Sequence, residues 1–260
     1  MPLNAPHQTN LFYANRTLNL GHRGASHYAP ENTLPAFRLA AEMGADGVEL
    51  DAQLTKDGHI VVIHEVELSH TTNGSGLVTD KTLAELRDLD AGASFSAEFA
   101  GTPIPTLEEV FASLGPVLLF NIELKVWTYN DHGLAAEVIR LIEDFNMQDR
   151  VILSSFNPFA LKRAYQVNPK IKRGFLWRPK LPFFFIRRKW LRFLAHEDMY
   201  HPDWESVTPA LIEKEHRRGH LLNTWTCDDP AEMRRLIKMG VDSIMTNQPD
   251  VLKQVLDETA

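Results

Sequence analysis

The sequence has one cysteine, no long apolar run and no excess of basic residues, and each absence excludes a class of protein. With Cys227 alone, the chain cannot form an intramolecular disulfide, which fits a reducing compartment. No run approaches the roughly 18 apolar residues that a membrane-spanning helix needs. The formal net charge of −7 argues against nucleic-acid binding, because that requires a basic surface.

The remaining composition is that of a soluble globular protein. Hydrophobic residues make up 44% of the chain and charged residues 23%. The first residues show no positively charged region followed by an apolar one, so no secretory signal is recognisable. We therefore expect a cytoplasmic protein. Its 260 residues suffice for one large α/β barrel or for two small domains.

Two carboxylates lie two residues apart in a run with strand character. Glu49 and Asp51 lie within the run 48–52, which follows a glycine-containing turn. Side chains two apart on a strand point to the same face, so we expect these carboxylates to lie side by side. Such a pair shifts each other's pKa upwards or shares a cation, and Mg²⁺ and Ca²⁺ favour oxygen ligands. The other interpretation is an exposed edge strand with two solvated acids.

His22 and His64 each follow a short apolar run, 17–21 and 60–63 respectively. In a parallel barrel the C-terminal ends of the strands carry the chemistry. Imidazole exchanges protons near neutral pH, so two histidines at strand ends beside a carboxylate pair favour acid–base catalysis over a structural role. The neighbouring Arg23 has a planar guanidinium that suits a phosphate, although it could equally be an ordinary surface arginine.

A third carboxylate lies in the continuous apolar run 117–124. Glu123 and Lys125 share a face of this predicted strand. A carboxylate in such a run is costly unless it is paired or bound to a metal ion. A buried ion pair with Lys125 and metal ligation by Glu123 are both compatible with this spacing.

Strand and helix patterns alternate along most of the chain, which predicts a parallel α/β architecture. Asp57-Gly58 predicts a hairpin turn, and residues 66–105 interrupt the alternation with loop-like sequence and one short helix over 82–89. We expect a single domain over 1–260 with an insertion at about 66–105. The predicted helices are 33–43, 106–114, 134–145, 158–167, 209–218, 230–239 and 249–256, and the later predicted strands are 117–124, 151–155, 173–177, 199–202, 221–226 and 243–246.

Several separated blocks, in this order, resemble the glycerophosphodiester phosphodiesterases, which are metal-dependent (β/α)8 TIM barrels within the phospholipase-C-like phosphodiesterase group. The resemblance covers nearly the whole chain and continues through Asn223-Thr-Trp225-Thr and the block 242–250. The early blocks are His22-Arg23-Gly24, Pro30-Glu31-Asn32-Thr33, Glu49-x-Asp51, Thr55-x-Asp57-Gly58 and His64.

The resemblance implies a function and a set of roles. It implies hydrolysis of a glycerophosphodiester, a small-molecule substrate, to glycerol 3-phosphate and an alcohol, with one divalent cation, Mg²⁺ or Ca²⁺. Trp225 would form a wall for the glycerol or alcohol group, although a barrel-core aromatic fits its position nearly as well. The metal ligands would be Glu49, Asp51 and Glu123, the catalytic pair His22 and His64, and the phosphate-binding residues Arg23 and Lys125.

Two features depart from an ordinary member of that family. Glu65 follows His64 where the family commonly has aspartate, which moves the carboxylate outward by one methylene. The stretch 170–192 holds nine Lys or Arg and no acid, with several aromatic residues. Basic and aromatic residues over Leu181 to Leu194 suit peripheral contact with an anionic membrane, and hence a lysophospholipase D, but an ordinary barrel helix fits as well. The pattern does not predict an oligomeric state.

Overall fold

The computed structural model describes residues 10–179 and 191–259. The helices are α1 Leu34–Glu42, α2 Leu83–Arg87, α3 Leu107–Leu114, α4 Leu134–Asp144, α5 Pro158–Val167, α6 Pro209–His216, α7 Pro230–Met239 and α8 Pro249–Thr259. The strands are β1 Leu18–His22, β2 Gly47–Leu54, β3 Ile60–Val62, β4 Leu119–Leu124, β5 Val151–Ser155, β6 Lys172–Trp177, β7 Met199–Pro202, β8 Leu221–Thr224 and β9 Ser243–Thr246.

Eight parallel strands close into a barrel. The order β1-β9-β8-β7-β6-β5-β4-β2 is completed by a further parallel pairing of β1 with β2. Strand β1 therefore pairs with β2 on one side and with β9 on the other. Helices connect most successive strands, because neighbouring parallel strands need a crossover connection rather than a tight turn. The predicted (β/α)8 TIM barrel is confirmed.

A hairpin and an irregular segment separate β2 from β4. Strand β3 pairs antiparallel with β2, and the chain turns between them at Asp57 and Gly58, as predicted. Gly58 has a φ of +87°, in the left-handed region that glycine adopts without strain. The segment that follows contains α2 and three short 3₁₀ helices, Leu68–His70, Val78–Asp80 and Ala97–Phe99. It packs over its own small apolar cluster, which includes Leu68, Val78 and Leu86.

The apolar side chains divide into clusters on the two sides of the barrel wall. Leu20 on β1 and Ile152 on β5 meet Met245 on β9 in one cluster, although these strands lie apart around the barrel, so they fill its interior. Val48 and Leu50 alternate with the two acids of β2 and pack with helix residues in a larger outer cluster. The alternation of β2 thus directs its acids inward and its apolar residues toward the helices.

Most predicted elements lie within two residues of their observed bounds. The predicted strand 117–124 begins only at Leu119, because Val117 is 62% exposed in a turn after α3. Residues 181–190 of the predicted membrane-contact segment Leu181 to Leu194 lie outside the described residues. No helix in the two described ranges has both the length and the apolar character needed to cross a membrane.

Candidate active site

The predicted acids and His22 lie toward the C-terminal ends of adjacent barrel strands, whereas His64 follows β3, which is antiparallel to β2 and is not one of the eight parallel barrel strands. The register pairs His22 with Glu49 across β1 and β2, and Asp51 with Glu123 across β2 and β4. Glu49 is 4% exposed and Asp51 is fully buried. Strand β2 has hydrogen-bonded neighbours on both sides, so the interpretation as an edge strand with solvated acids is wrong.

The three acids meet in one cluster with two basic side chains. Glu49, Asp51 and Glu123 each offer a carboxylate oxygen, and these oxygens lie within 4.8 Å of one another. Lys125 Nζ lies 3.1 Å from Glu123 Oε1 and 3.4 Å from Asp51 Oδ1. Arg23 Nε lies 3.5 Å from Asp51 Oδ2, and its backbone N–H donates to Glu49 Oε2 at 3.0 Å. Glu123 therefore forms an ion pair with Lys125 and also belongs to a cluster of three acids.

The pKa values of the two glutamates are raised, whereas that of Asp51 is lowered. Burial, reinforced by the charge of Asp51, raises the pKa of Glu49 well above its usual range. Burial also raises the pKa of Glu123, against the opposing charge of Lys125. Burial opposes ionisation of Asp51 too, but the charges of Lys125 and Arg23 lower its pKa to about 2. Three buried acids against two cations form a donor set that fits a divalent cation with oxygen ligands.

Asn32 and Glu31 hold the cluster in place. Asn32 Nδ2 donates to Asp51 Oδ2 at 2.8 Å, and its Oδ1 accepts from the backbone N–H of Asp51 at 3.2 Å. Glu31 accepts two hydrogen bonds of 3.0 Å from Arg23 Nη1. Arg23 and Asn32 have positive φ values of 55° and 58°, so the loop after β1 turns sharply to present both side chains.

His22 is held in one tautomer by a residue from the far end of the chain. Its Nδ1 lies 2.8 Å from Asn247 Oδ1, which can only accept, so Nδ1 carries the proton. Asp228 Oδ2 accepts from Asn247 Nδ2 at 2.6 Å, and this fixes the orientation of the amide. Nε2 of His22 lies 3.9 Å from Glu49 Oε2. Burial, with the charge of Arg23, lowers the pKa of His22 to about 4.

His64 is oriented by the unusual acid beside it. Glu65 Oε1 lies 2.7 Å from His64 Nδ1, so this carboxylate accepts the Nδ1 proton and leaves Nε2 unprotonated in the neutral ring. The longer glutamate therefore still reaches the imidazole. Gln53, two residues beyond Asp51 on β2, donates from Nε2 to the carbonyl groups of residues 63, 64 and 65 at 2.9, 3.1 and 2.9 Å. This amide ties the His64 loop to the strand that carries the acids.

A cavity of about 200 Å³ opens above the cluster. Trp225 is half-buried, donates from Nε1 to the carbonyl of His201 at 2.9 Å, and packs edge-to-face on Phe156 at 5.4 Å between ring centroids. It therefore lies in the cavity wall rather than wholly in the barrel core. The predicted site residues that line the cavity are His22, Arg23, Glu49, His64, Glu123, Lys125 and Trp225, and further lining residues include Trp127, Phe156 and Arg178.

Sequence reasoning missed the residues that support the site. Asn247 lies in the block 242–250, to which the sequence assigned no chemical role, but it holds His22. Asp228 carried no motif of its own, and its Oδ1 accepts from the backbone N–H of Asn247 at 2.8 Å. Asn32 and Glu31 stood in the motif Pro-Glu-Asn-Thr without a role. The motif itself was the available signal for these two; no local pattern distinguishes Asp228.

Residues 22–251 match the model of the glycerophosphoryl diester phosphodiesterase family. The chain belongs to this family. Members of the glycerophosphoryl diester phosphodiesterase family are phosphoric diester hydrolases, so the predictions of the family and of an enzyme are confirmed. The match begins at His22 and includes every predicted site residue.

Curated relatives and solved structures agree with the family. A glycerophosphodiester phosphodiesterase of Caldanaerobacter subterraneus subsp. tengcongensis is 44% identical over 91% of this chain and 96% of its own length. One from Bacillus subtilis is 32% identical over 98% of this chain and 91% of its own. The structure of an Oleispira antarctica phosphodiesterase in complex with the product sn-glycerol-3-phosphate has a TM-score of 0.85 and 29% identity, covering 95% of this chain and 99% of that one.

Proposed function

We propose that this chain hydrolyses glycerophosphodiesters to glycerol 3-phosphate and an alcohol, with one divalent cation, Mg²⁺ or Ca²⁺, bound by Glu49, Asp51 and Glu123. The observation that supports this most directly is the buried cluster of three carboxylates whose oxygens lie within 4.8 Å of one another. Two histidines border the same cavity. The related phosphodiesterase with bound sn-glycerol-3-phosphate supports the glycerol phosphate half of the substrate.

The two basic side chains of the cluster would contact the phosphate. A divalent cation held by Glu49, Asp51 and Glu123 would supply Lewis-acid stabilisation of negative charge on the phosphate. Arg23 is fixed in place by its ion pair with Glu31, and Lys125 by its ion pair with Glu123. Both side chains can therefore stabilise developing negative charge without reorganising. Burial opposes the charge of Lys125, but the carboxylates of Glu123 and Asp51, 3.1 and 3.4 Å from Nζ, outweigh it and raise the pKa of Lys125, which keeps the side chain protonated.

The histidines would divide the proton transfers. His22 is neutral at neutral pH because its pKa is about 4, and with the proton on Nδ1 its Nε2 can accept a proton from the nucleophile. That nucleophile is water or the glycerol hydroxyl beside the phosphate. The Glu65 carboxylate at 2.7 Å can balance the charge of a protonated His64, whose Nε2 would then donate to the leaving alcohol oxygen.

The decisive experiment measures release of glycerol 3-phosphate from glycerophosphocholine, with EDTA and after Mg²⁺ or Ca²⁺ is added back. We expect EDTA to abolish release and one of the two cations to restore it. Glu49→Gln, which removes one ligand charge, should require a higher cation concentration for half-maximal activity, and calorimetry should show weaker cation binding. Release that is unaffected by EDTA, with an unchanged titration in the variant, would refute the metal site.

The membrane and location predictions remain proposals. Arg192, at the edge of the segment Leu181 to Leu194, is engaged by Glu197 and Glu215, whereas the neighbouring Phe193 is 71% exposed. Lysophospholipase D activity at a membrane surface would appear as a preference for micellar lysophospholipid over soluble glycerophosphodiester. We propose a cytoplasmic location because the single cysteine suits a reducing compartment.

A further inference from the structure

A second, larger cavity adjoins the candidate active site. Its volume is about 830 Å³, and Lys125 and Trp127 line both this cavity and the smaller one. Trp127 is 51% exposed although it stands between two concave surfaces. The larger cavity is thus a lateral extension of the catalytic centre, reached past one exposed aromatic ring.

The walls of this second cavity come from three separate segments that are tied together. The β2–β3 turn contributes Lys56 and Asp57, the segment after β3 contributes Thr79 and Asp80, and the loop after β4 contributes the third wall. The backbone N–H of Lys56 donates to the carbonyl of Lys81 at 2.8 Å, and that of Leu83 donates to Asp57 Oδ1 at 2.9 Å. These bonds hold the first two walls together, so the cavity is largely preformed.

Hydrogen bonds from Asn157 hold the third wall, which is the loop after β4, in place. Asn157 Nδ2 donates to the carbonyl groups of Val126 and Thr128 at 3.1 and 2.8 Å, and these residues flank Trp127. Thr128 Oγ1 donates to the carbonyl of Asn130 at 2.6 Å. The loop therefore presents the Trp127 ring and the polar groups beyond it in a defined geometry.

The sizes of the two cavities suit the two arms of a phosphodiester, with one arm in each cavity. A pocket that encloses a whole small ligand measures roughly 300–1,000 Å³, and the cavity above the acids, at about 200 Å³, falls below that range. It suits one arm of the diester, together with the phosphate that Lys125 and Arg23 face. The other ester arm extends from the phosphorus in a different direction, and the larger cavity lies directly beyond Lys125.

The lining of the larger cavity selects for uncharged polar groups. The lining carries charges of both signs, since it includes Lys56, Asp57 and Asp80. Asp131, which also lines the cavity, is paired with Arg163 at 3.6 Å. The Trp127 ring already has Lys125 Nζ at 5.4 Å from its centroid, which reduces its attraction for a further cation. Carboxylate, hydroxyl and amide groups beside an aromatic ring can instead hydrogen-bond the hydroxyls and cover the carbon face of a polyol.

We propose that the larger cavity is the subsite for the leaving alcohol and that it favours a bulky, uncharged polyhydroxy alcohol over a cationic one. This inference rests on the proposed function, because it assigns the second arm of the same substrate. Asp80, which is exposed and belongs to the wall after β3, would accept hydrogen bonds from the alcohol. Thr79, its neighbour, is positioned so that a larger side chain would reduce the space for the alcohol.

The test compares kcat/KM for glycerophosphoinositol, glycerophosphocholine and the small ester glycerophosphoethanol. We expect the wild type to prefer the inositol ester over the choline ester. In Thr79→Trp and Asp80→Ala the ratio of the inositol to the ethanol ester should fall by about tenfold or more, because hydroxyl contacts and space are lost. The matched control is Tyr129→Ala, an exposed aromatic of the same loop that lines neither cavity, and its ratio should stay within about twofold.

The outcomes test separately the alcohol subsite, the chemical class of the alcohol and the proposed function. Hydrolysis of all three esters with an unchanged ratio in both variants would overturn the subsite while leaving the proposed function intact. A wild-type preference for the choline ester that both variants abolish would overturn the uncharged class in favour of a cation site. Failure to release glycerol 3-phosphate from any ester, with either metal, would refute the proposed function and the subsite with it.

Discussion

At the residue scale, the site depends on how each histidine is held. His22 donates from Nδ1 to Asn247, whose amide is oriented by Asp228, while His64 has the Glu65 carboxylate at Nδ1. A neutral partner suits a ring that accepts a proton, and an anionic partner suits a ring that carries one. The two imidazoles are thus supported differently, in keeping with the opposite roles proposed for them.

Replacement of either histidine should remove most of the activity and leave the fold intact. We expect His22→Ala and His64→Ala each to lower kcat by about 10²–10⁴-fold, the usual contribution of a positioned acid or base. His59→Ala, which removes an exposed histidine of the β2–β3 turn, is the control and should stay near wild type. Steady-state kinetics with circular dichroism would check this, and normal turnover in either variant would exclude that side chain from proton transfer.

The acids and histidines could be predicted because their signals are local. Alternation along β2 and β4 places Glu49, Asp51 and Glu123 on one face. His22 ends the barrel strand β1, whereas the hairpin strand β3 brings His64 to the site. Asn247 could not be assigned in the same way, because it lies 225 residues from His22 and its sequence context is also that of an ordinary helix start. Contacts that form when the barrel closes do not affect the spacing of apolar residues in either contacting segment.

At the element scale, β6 and β7 pack so closely that one position requires glycine for lack of space. Gly174 on β6 has a negative φ, yet a Cβ there would lie 2.3 Å from Nε2 of His201 on β7. His201 is fully buried, and its Nε2 lies 3.0 Å from Asn223 Nδ2 on β8. Burial lowers the pKa of His201 to about 3, so the ring is neutral and functions as a spacer between strands.

Gly174→Ala should therefore destabilise the barrel by overpacking. We expect a loss of about 1–3 kcal/mol in the free energy of unfolding, measured by urea denaturation. The double variant with His201→Ala should lose less than the sum of the two single changes, since the clash and the cavity offset each other. Strictly additive losses would show that the ring and the new methyl group do not meet.

The sequence predicted the presence of helices and strands more reliably than the residues at which they begin and end. Apolar runs and helical spacing located the strands and helices, because most described barrel strands are buried on both sides and most described helices have one apolar face. The ends depended on contacts that periodicity does not report. Thr106, for instance, was included in α3, but it is the cap that accepts from the backbone N–H of Glu109 and precedes the helix.

At the scale of the whole molecule, a buried ion-pair network joins distant parts of the chain. Arg192 is 2.6 Å from Glu197 and 2.7 Å from Glu215, which is fully buried on α6. His220, before β8, lies 3.1 Å from the same glutamate. These charged groups thereby fasten the described segment before β7 to the next helix and strand, and Ala195 of the same segment packs in an apolar cluster.

Loss of the arginine should leave two buried acids without their main partner. Arg192→Met keeps much of the side-chain volume but removes the charge, and we expect a loss of about 3–5 kcal/mol in the free energy of unfolding. Arg217→Met is the control, because its pair with Glu213 is exposed and should contribute less than about 1 kcal/mol. Equal effects in the two variants by chemical denaturation would contradict the role of burial.

The same network predicts a loss of stability in acid. Burial opposes ionisation of Glu215, but hydrogen bonds from His220 and Arg192 hold its pKa well below the usual value of 4.5. Its contribution is therefore complete above the unfolded-state pKa and decreases as the pH falls toward the lower folded-state value, by at most about 1.4 kcal/mol per pH unit.

Urea denaturation from pH 6 to pH 3 would check this with Glu215→Gln as the comparison. The wild-type free energy of unfolding should fall more steeply with decreasing pH below about 4.5 than that of the variant, because only the wild type takes up this proton on unfolding. Parallel curves would show that Glu215 titrates alike in the folded and unfolded chains.

Because β1 pairs with both β2 and β9, it cannot complete its pairing until β9, which lies more than 200 residues later in the sequence, has left the ribosome. When residue 125 emerges, the nascent chain already holds all three acids and both histidines, yet one side of β1 still has unpaired backbone groups. At about 5–20 residues per second, translation needs roughly ten seconds to reach β9. Throughout that interval the nascent sheet has open edges, so co-translational protection by chaperones should matter most in the second half of synthesis.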